Sequence, residues 1–365
     1  MRSPVSQGGR VVVKVGSSSL ATPDGGLDPD GVARAVAQVN GLWESGRPTV
    51  LVSSGAVAAG LPALGLTERP PDIPGLQAAA AVGQGRLMER YAAAFAESDR
   101  VVGQVLLTKD VLANRPQYLH AREALERLLG YGVVPIVNEN DTVVVDELRL
   151  GDNDRLAAIV SHLVGAELLV ILTDTAGLYA SDPRLDDEAE LLSAVRHTDE
   201  ILDELLHGDA GPLGSGGVAT KVAAARMAAW SGIPTVIAPA AAADAAMAAV
   251  DGEDVGTWVA PHHSKLSSRK LWIAFGLPAS GSVVVDDGAV SALVSGGRSL
   301  LAVGVHSVRG SFDAWDGVEI EDRSGRLVAK GIVGMSSADL SAAAGKHSSE
   351  IGGAVVHRDD LVVLA

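Results

Sequence analysis

The stretch VVVKVGSSSL, residues 11–20, decides how the rest of the chain is read. Apart from Lys14, its first five residues are β-branched and apolar, with no polar alternation. A strand covered by helices on both faces of a parallel sheet has this composition. Lys14 is then the anomaly. An ammonium group inside such a strand is costly unless it meets an anion, or lies near enough to the strand end to reach solvent. Gly16, Ser17, Ser18 and Ser19 favour the anion, because a small-residue turn at a strand end exposes backbone N–H groups to phosphate oxygens.

Working outward, Thr49–Ser53, Val101–Leu107, Val133–Val137, Leu168–Thr173 and Thr235–Ala238 read as further apolar strands. Helices lie between them. Asp28 and Pro29 open one as N-cap and first residue. Tyr118–Leu129 is amphipathic and ends at Gly130, and Asp154–Val164 and Thr220–Ser231 follow the same logic. Ala238–Ala249 reads as a poorly patterned helix. Repeated βα units predict an α/β fold over residues 1–260: a doubly wound, mainly parallel sheet sandwiched by helices, with ligands at the C-terminal strand ends. Residues 261–279, with Lys265, Arg269 and Lys270 and no acid, read as a linker. From 280 to 365 short strands alternate with turns, among them Asp286-Asp287-Gly288 and Ser324-Gly325 read as hairpin turns. They predict a small, mostly β second domain.

Bulk properties narrow the function. A chain of 365 residues exceeds one ordinary core, and 47% hydrophobic with 20% charged residues suits a soluble protein. The formal net charge of −16 repels nucleic acid and anionic membranes, so any site for an anion must be local. The lack of cysteine excludes disulfides and thiolate metal sites and fits a reducing cytoplasm. No run is apolar enough for a signal peptide or a bilayer span, so a cytoplasmic location is expected.

Four further stretches carry polar groups at strand or helix ends. LVSSGAVAAG (51–60) runs a strand through Ser53, Ser54 and Gly55 into a helix, which is either an anion site or a plain capped turn. VPIVNENDTV (134–143) ends a strand with Asn138, Glu139, Asn140 and Asp141, more than a polar turn needs. GDND (151–154) places Asp152, Asn153 and Asp154 where one side chain would suffice as a cap. Finally, Thr173-Asp174 ends a strong strand, and residues 212–228 run a glycine-rich loop into a helix through Lys221. That loop works physically like a P-loop without matching GxxxxGK[ST]. The HRDD at 357–360 echoes a protein-kinase catalytic loop but lacks its partners and is set aside. Two lysines, two glycine-rich loops and a group of acids and amides describe phosphoryl transfer, where positioning and charge do most of the catalysis.

The ordered set KVGSSSL, SSGAVAAG, AVGQGRLM, VNENDTV, GDND, LTDTAGLY, SGGVATK, AGKHSSEI and AVVHRDD resembles the glutamate 5-kinase family. These are amino-acid-kinase-fold enzymes that open proline biosynthesis, here in the long form with a C-terminal PUA domain. The resemblance covers nearly the whole chain and implies transfer of the γ-phosphate of ATP to the side-chain carboxylate of L-glutamate. Mg²⁺ is implied on the ATP phosphates, with no metal ligand from the protein. Carried over by residue, Lys14 and Lys221 would neutralise the migrating group, and Asp154 would hold both lysines. Ser54, Asp141 and Asn153 match glutamate-binding positions, with Gly55, Asn138 and Asp152 beside them. Within GDND, Asn153 helped by Asp152 would read glutamate, while Asp154 turns to the lysines. Lys14, Gly16, Thr173, Asp174, Ser215, Gly216, Gly217, Val218, Ala219, Thr220 and Lys221 match the nucleotide site. Ser215 stands where Thr is usual and Val218 where Met is common. The family also implies feedback inhibition by L-proline, involving the Ala56–Leu76 region, and a homo-oligomer, dimer or tetramer. Kinases of acetylglutamate, aspartate, carbamate or nucleoside monophosphates share the physics. VNENDTV, GDND and the PUA-like tail favour free glutamate. RNA binding by that tail is not expected, since residues 280–357 hold six Lys/Arg against nine Asp/Glu, a net of −3.

Overall fold

The computed structural model describes residues 2–22, 25–108, 111, 114–143, 153–186, 188–207, 217–263, 265–346 and 353–364. The chain divides into two compact units, Met1–Lys265 and Leu266–Ala365.

In the first unit the order is β1 (Val11–Val15), α1 (Pro29–Glu44), β2 (Thr49–Ser53), α2 (Ala56–Gly60), α3 (Ile73–Ala96), β3 (Val102–Leu107), α4 (Arg115–Gly130) and β4 (Val134–Glu139). There follow α5 (Asn153–Val164), β5 (Leu168–Thr173), β6 (Ala194–Arg196), α6 (Glu200–His207), α7 (Val218–Trp230), β7 (Thr235–Pro239), α8 (Ala245–Val250) and β8 (Thr257–Ala260). One eight-stranded sheet results, in the order β3-β4-β2-β1-β5-β7-β8-β6. Neighbours pair in parallel except β7 with β8. All six strands expected from sequence are present. The two short additions, β6 and β8, form an edge whose direction is reversed. The strand order turns around between β1 and β5, which is where doubly wound sheets hold ligands.

Alternation along β1 explains its single lysine. Val11, Val13 and Val15 enter the core shared with Val36 and Val39 of α1 and Tyr91 and Phe95 of α3. Lys14 projects to the opposite face, where α5 packs. Local signals set the helix starts. Asp28 accepts from Asp30 N at 3.0 Å, with Pro29 at the first helical position. Asp72 and Asn114 cap α3 and α4 in the same way. The crossing of α2 and α3 has no room for side chains: a Cβ on Gly83 would overlap the Ala56 carbonyl oxygen, and one on Gly60 would overlap that of Ala79. That contact brings the middle of α3 against the turn after β2.

Ala238–Ala249 is not one helix. β7 runs on to Pro239, and only Ala245–Val250 is helical. Pro239 still pairs in the sheet with Thr173, so strand pairing overrides alanine's helix propensity here.

The second unit comprises α9 (Ser268–Leu271), β9 (Ala279–Val285), α10 (Asp287–Gly296), β10 (Val305–Gly310), β11 (Gly317–Glu321), β12 (Leu327–Val333), α11 (Ser337–Ala343) and β13 (Val356–Val363). Its sheet order is β10-β9-β11-β12-β13, antiparallel except for β9 with β11. Val283, Val285, Leu293, Ile320, Leu340 and Val356 are among its core residues. The stretch expected as a linker divides between the units. From Leu266 onward it is counted with the second, where Ile273 and Ala274 are buried with Ile332 and Val362. Ser324-Gly325 is a hairpin turn between β11 and β12, with Gly325 at φ 89°. Asp286-Asp287-Gly288 is not. Asp286 accepts from Ala289 N at 2.8 Å and starts α10, so the same turn-favouring residues act as a helix cap.

The α2–α3 contact separates two neighbouring glycines. Gly83→Ala is expected to lower stability by about 2 kcal/mol or more through overpacking. Gly85 is exposed in the same helix with nothing within 4 Å of an added Cβ. Gly85→Ala is expected to gain about 1 kcal/mol from helix propensity. Denaturant unfolding of the two variants checks the pair; equal effects would contradict the close crossing.

Candidate active site

Lys14 reaches the C-terminal end of β1 without reaching water; the residue is 2% exposed. Its Nζ lies 2.5 Å from Oδ1 of Asp154, a side chain with no exposure on the first turn of α5. A Cβ at Gly16 would lie 3.3 Å from that Nζ, so the absent side chain leaves the ammonium its place. Thr220, from the first turn of α7, donates to Asp154 Oδ2 at 2.7 Å. Burial alone would raise the Asp154 pKa. The charges of Lys14 and Lys221 and hydrogen bonds from Lys14 and Thr220 outweigh it and hold the carboxyl below its ordinary range. Lys221 is also held below its ordinary range, by burial first, with Lys14 adding to the effect and Asp154 and Asp174 opposing it. The Lys14 and Lys221 side chains thus meet around the one carboxylate of Asp154, with Asp174 also acting on Lys221.

A second group adjoins this one through consecutive residues of α5. Asn153 Nδ2 lies 3.0 Å from Ser54 Oγ, 3.2 Å from the Ser53 carbonyl and 3.0 Å from Asn138 Oδ1. The N–H of Glu139 donates to Asn138 Oδ1 at 2.9 Å and to Asn153 Oδ1 at 3.3 Å. Behind them, Ser53 Oγ lies 2.8 Å from the hydroxyl of buried Tyr91 on α3, whose phenol burial pushes upward. Gly55, at φ 101°, turns the chain from β2 into α2, a conformation that glycine adopts without strain. Asp141 stands just past β4, where burial, opposed by Arg69, raises its carboxyl to about 6.

Of the residues expected to take nucleotide, Thr173 ends β5, and its hydroxyl donates to Asp174 at 3.0 Å. Both line a cavity of about 340 Å³ with Val15, Ser18, Arg34 and Ala240. Gly217 precedes α7 in extended conformation, and Val218, Ala219, Thr220 and Lys221 make the first turn of that helix. An α7 start of this kind turns N–H groups and the positive dipole end toward an anion. Asp152, Ser215 and Gly216 lie outside the described residues.

The structure therefore brings Lys14, Asp154, Thr220 and Lys221 together, and Ser54, Asn138 and Asn153 beside them. Sequence reasoning placed Thr220 only on the nucleotide and left out its bond to Asp154. It also left Gln84 unassigned, although Asn138 Nδ2 donates to Gln84 Oε1 at 2.8 Å. A long amide in the alanine- and glycine-rich AAAAVGQG run was the available signal.

Residues 9–239 match the model of the amino acid kinase family, and residues 281–353 match that of the PUA domain. Among known proteins, the chain is 46% identical to the glutamate 5-kinase of Marinomonas sp. (strain MWYL1), covering 100% of both chains. It is 46% identical to that of Thermobifida fusca (strain YX), over 100% of this chain and 95% of the relative. Identity to the glutamate 5-kinase of Frankia casuarinae is 48%, over 100% and 99%. With the family model spanning most of the first unit and such relatives aligned end to end, the chain belongs to the glutamate 5-kinase family of amino acid kinases.

Proposed function

We infer that the chain phosphorylates the side-chain carboxylate of L-glutamate with ATP, giving γ-glutamyl phosphate and ADP, the first step of L-proline biosynthesis. The observation that carries this is the buried Lys14–Asp154 pair with Lys221 acting on the same carboxylate. In the reaction a carboxylate oxygen bonds to the γ-phosphorus as the bond to the β–γ bridging oxygen breaks, and ADP leaves with that electron pair. Mg²⁺, typical of kinases, would come with ATP as part of that substrate and would lower the charge on its phosphates. Negative charge on the migrating group is met by Lys14 and Lys221. Asp154 holds Lys14 in place and, with Thr220, joins β1, α5 and α7 at one point. Lys221 carries a raised deprotonation tendency while the site is dry. A phosphate between the lysines adds attraction where like charges now repel.

Glutamate is read by the adjoining group. Asp141 suits the substrate ammonium, and Ser54, with the start of α2 at Gly55, suits a carboxylate. The two N–H groups of Asn153 already have three acceptors within reach, so its part is to hold Ser54 and Asn138 in register. Thr173, Asp174 and the start of α7 take the nucleotide. L-Proline carries the same α-ammonium and α-carboxylate, so inhibition would act through the glutamate groups. A homo-oligomer is supported by the half-exposed edge strand β3 and by exposed Leu64 and Leu66. ATP-dependent biosynthesis points to the cytoplasm.

Trapping the acyl phosphate as its hydroxamate tests the reading directly: product should require both ATP and L-glutamate, and glutamate-independent turnover would refute it. Asp154→Asn and Lys221→Ala are each expected to lower kcat by about 100- to 1000-fold with small changes in glutamate KM. Asn153→Ala should instead act mainly by raising glutamate KM. Steady-state kinetics on the three variants separate these roles, and a common pattern would contradict the division.

Asp141 adds a pH signature. With its carboxyl raised from 3.8 to about 6, glutamate KM should rise as pH falls through about 6 and the ammonium loses its partner. The same shift makes folding favour the neutral form, so its contribution to stability is present below about 4 and lost as pH rises through about 6. Asp141→Asn should therefore flatten the pH profile of KM, melt higher than the parent above about pH 6 without ligands, and match it below about pH 4. Thermal melts across pH check the sign.

A further inference from the structure

Gln84 lies at the outer end of a chain of amides whose direction is set by backbone groups that cannot turn. The Ser53 carbonyl only accepts, and the Glu139 N–H only donates. Asn153 lies between them, its Nδ2 3.2 Å from the first and its Oδ1 3.3 Å from the second, so its amide has one allowed orientation. Asn153 Nδ2 then faces Asn138 Oδ1 at 3.0 Å, which also accepts from Glu139 N at 2.9 Å. Asn138 is fixed in turn, and its Nδ2 must point at Gln84 Oε1, 2.8 Å away. Reversing any of these amides would set donor against donor or acceptor against acceptor. The polarity of two backbone groups is thus passed through three side chains, and Gln84 is left with its Nε2 turned away from Asn138.

That Nε2 is shielded from solvent and has no hydrogen-bond partner among the described residues. A buried amide N–H without an acceptor is costly, which makes a site for an acceptor. Gln84 is also held firmly: it follows Gly83, whose backbone packs directly on Ala56 at the start of α2. Its place in the chain says which end of the substrate it meets. Asp154 and the lysines mark the phosphoryl end, and Asn153 and Asn138 stand between Asp154 and Gln84.

We propose that Gln84 is a substrate-recognition residue whose Nε2 donates to the α-carboxylate of the amino-acid substrate while its Oε1 orients Asn138. The proposal rests on the glutamate reading above. A bond to the non-reacting end of the substrate lowers KM without lowering the chemical barrier.

Gln84→Glu keeps an oxygen for Asn138 and replaces the donor with a second, negatively charged oxygen. At pH 8 it is expected to raise glutamate KM by about 10- to 100-fold, the loss of one hydrogen bond to a charged group, with kcat and ATP KM within about twofold of the parent. Gln84→Met, similar in length but without either polar atom, should raise glutamate KM and lower kcat as well, because Asn138 is no longer oriented. Thermal melts accompany both variants, so a folding defect is separated from a binding one. A folded Gln84→Glu or Gln84→Met protein with the parent's glutamate KM would overturn the proposal. If the parent itself shows no glutamate-dependent turnover, the reaction reading fails first, and the role of Gln84 with it.

Discussion

The first unit is organised around one buried ion pair, Lys14 with Asp154. An ammonium in the middle of a parallel sheet and a carboxylate with no exposure would each be expensive alone. Together, with the Thr220 hydroxyl on the second carboxylate oxygen, they are satisfied, and β1, α5 and α7 are joined at one point. Such a pair contributes little net stability compared with an apolar contact of the same size. With Lys221 acting on the same carboxylate, the pair gathers two cationic side chains at one point, which the proposed function puts to use on a phosphate.

The fold supplies two neighbouring chemistries from consecutive residues. Asp154 turns to the lysines, while Asn153 turns to Ser54 and Asn138. Adjacent positions on a helix diverge in direction, so one short segment separates the charged group around Lys14 from a hydrogen-bonded group of amides, the two that the proposed function assigns to the phosphoryl and amino-acid ends. Backbone packing fixes the second end. The bare contact of Gly83 and Gly60 with α2 and α3 carbonyls lets α3 approach the turn after β2, and Tyr91 and Gln84 reach it from the same helix.

Much of this was legible in the residues. The unbroken apolar runs gave the parallel sheet, and a lysine within one of them pointed to the site, since few arrangements tolerate a buried ammonium. GDND asked for two roles, and the structure shows Asn153 and Asp154 facing different partners. What stayed hidden depends on long-range contacts. Gln84 has no local signal beyond its polarity, because its partner Asn138 lies 54 positions away. The Thr220 bond to Asp154 spans 66 positions. Short β6 and β8 carry too few residues to show a period, and Asp286-Asp287-Gly288 satisfies the preferences of a turn and a helix cap alike.

The central claim is that Lys14 and Lys221, held around Asp154, act on charge that develops as the phosphoryl group migrates. The affinity of the ADP–aluminium fluoride–glutamate complex, a mimic of that state, measures this against the affinity for ATP. Lys221→Met should weaken the mimic by about 100-fold or more while changing ATP binding far less. Equal losses for both ligands would show that the lysines bind nucleotide without favouring transfer, and would contradict the account.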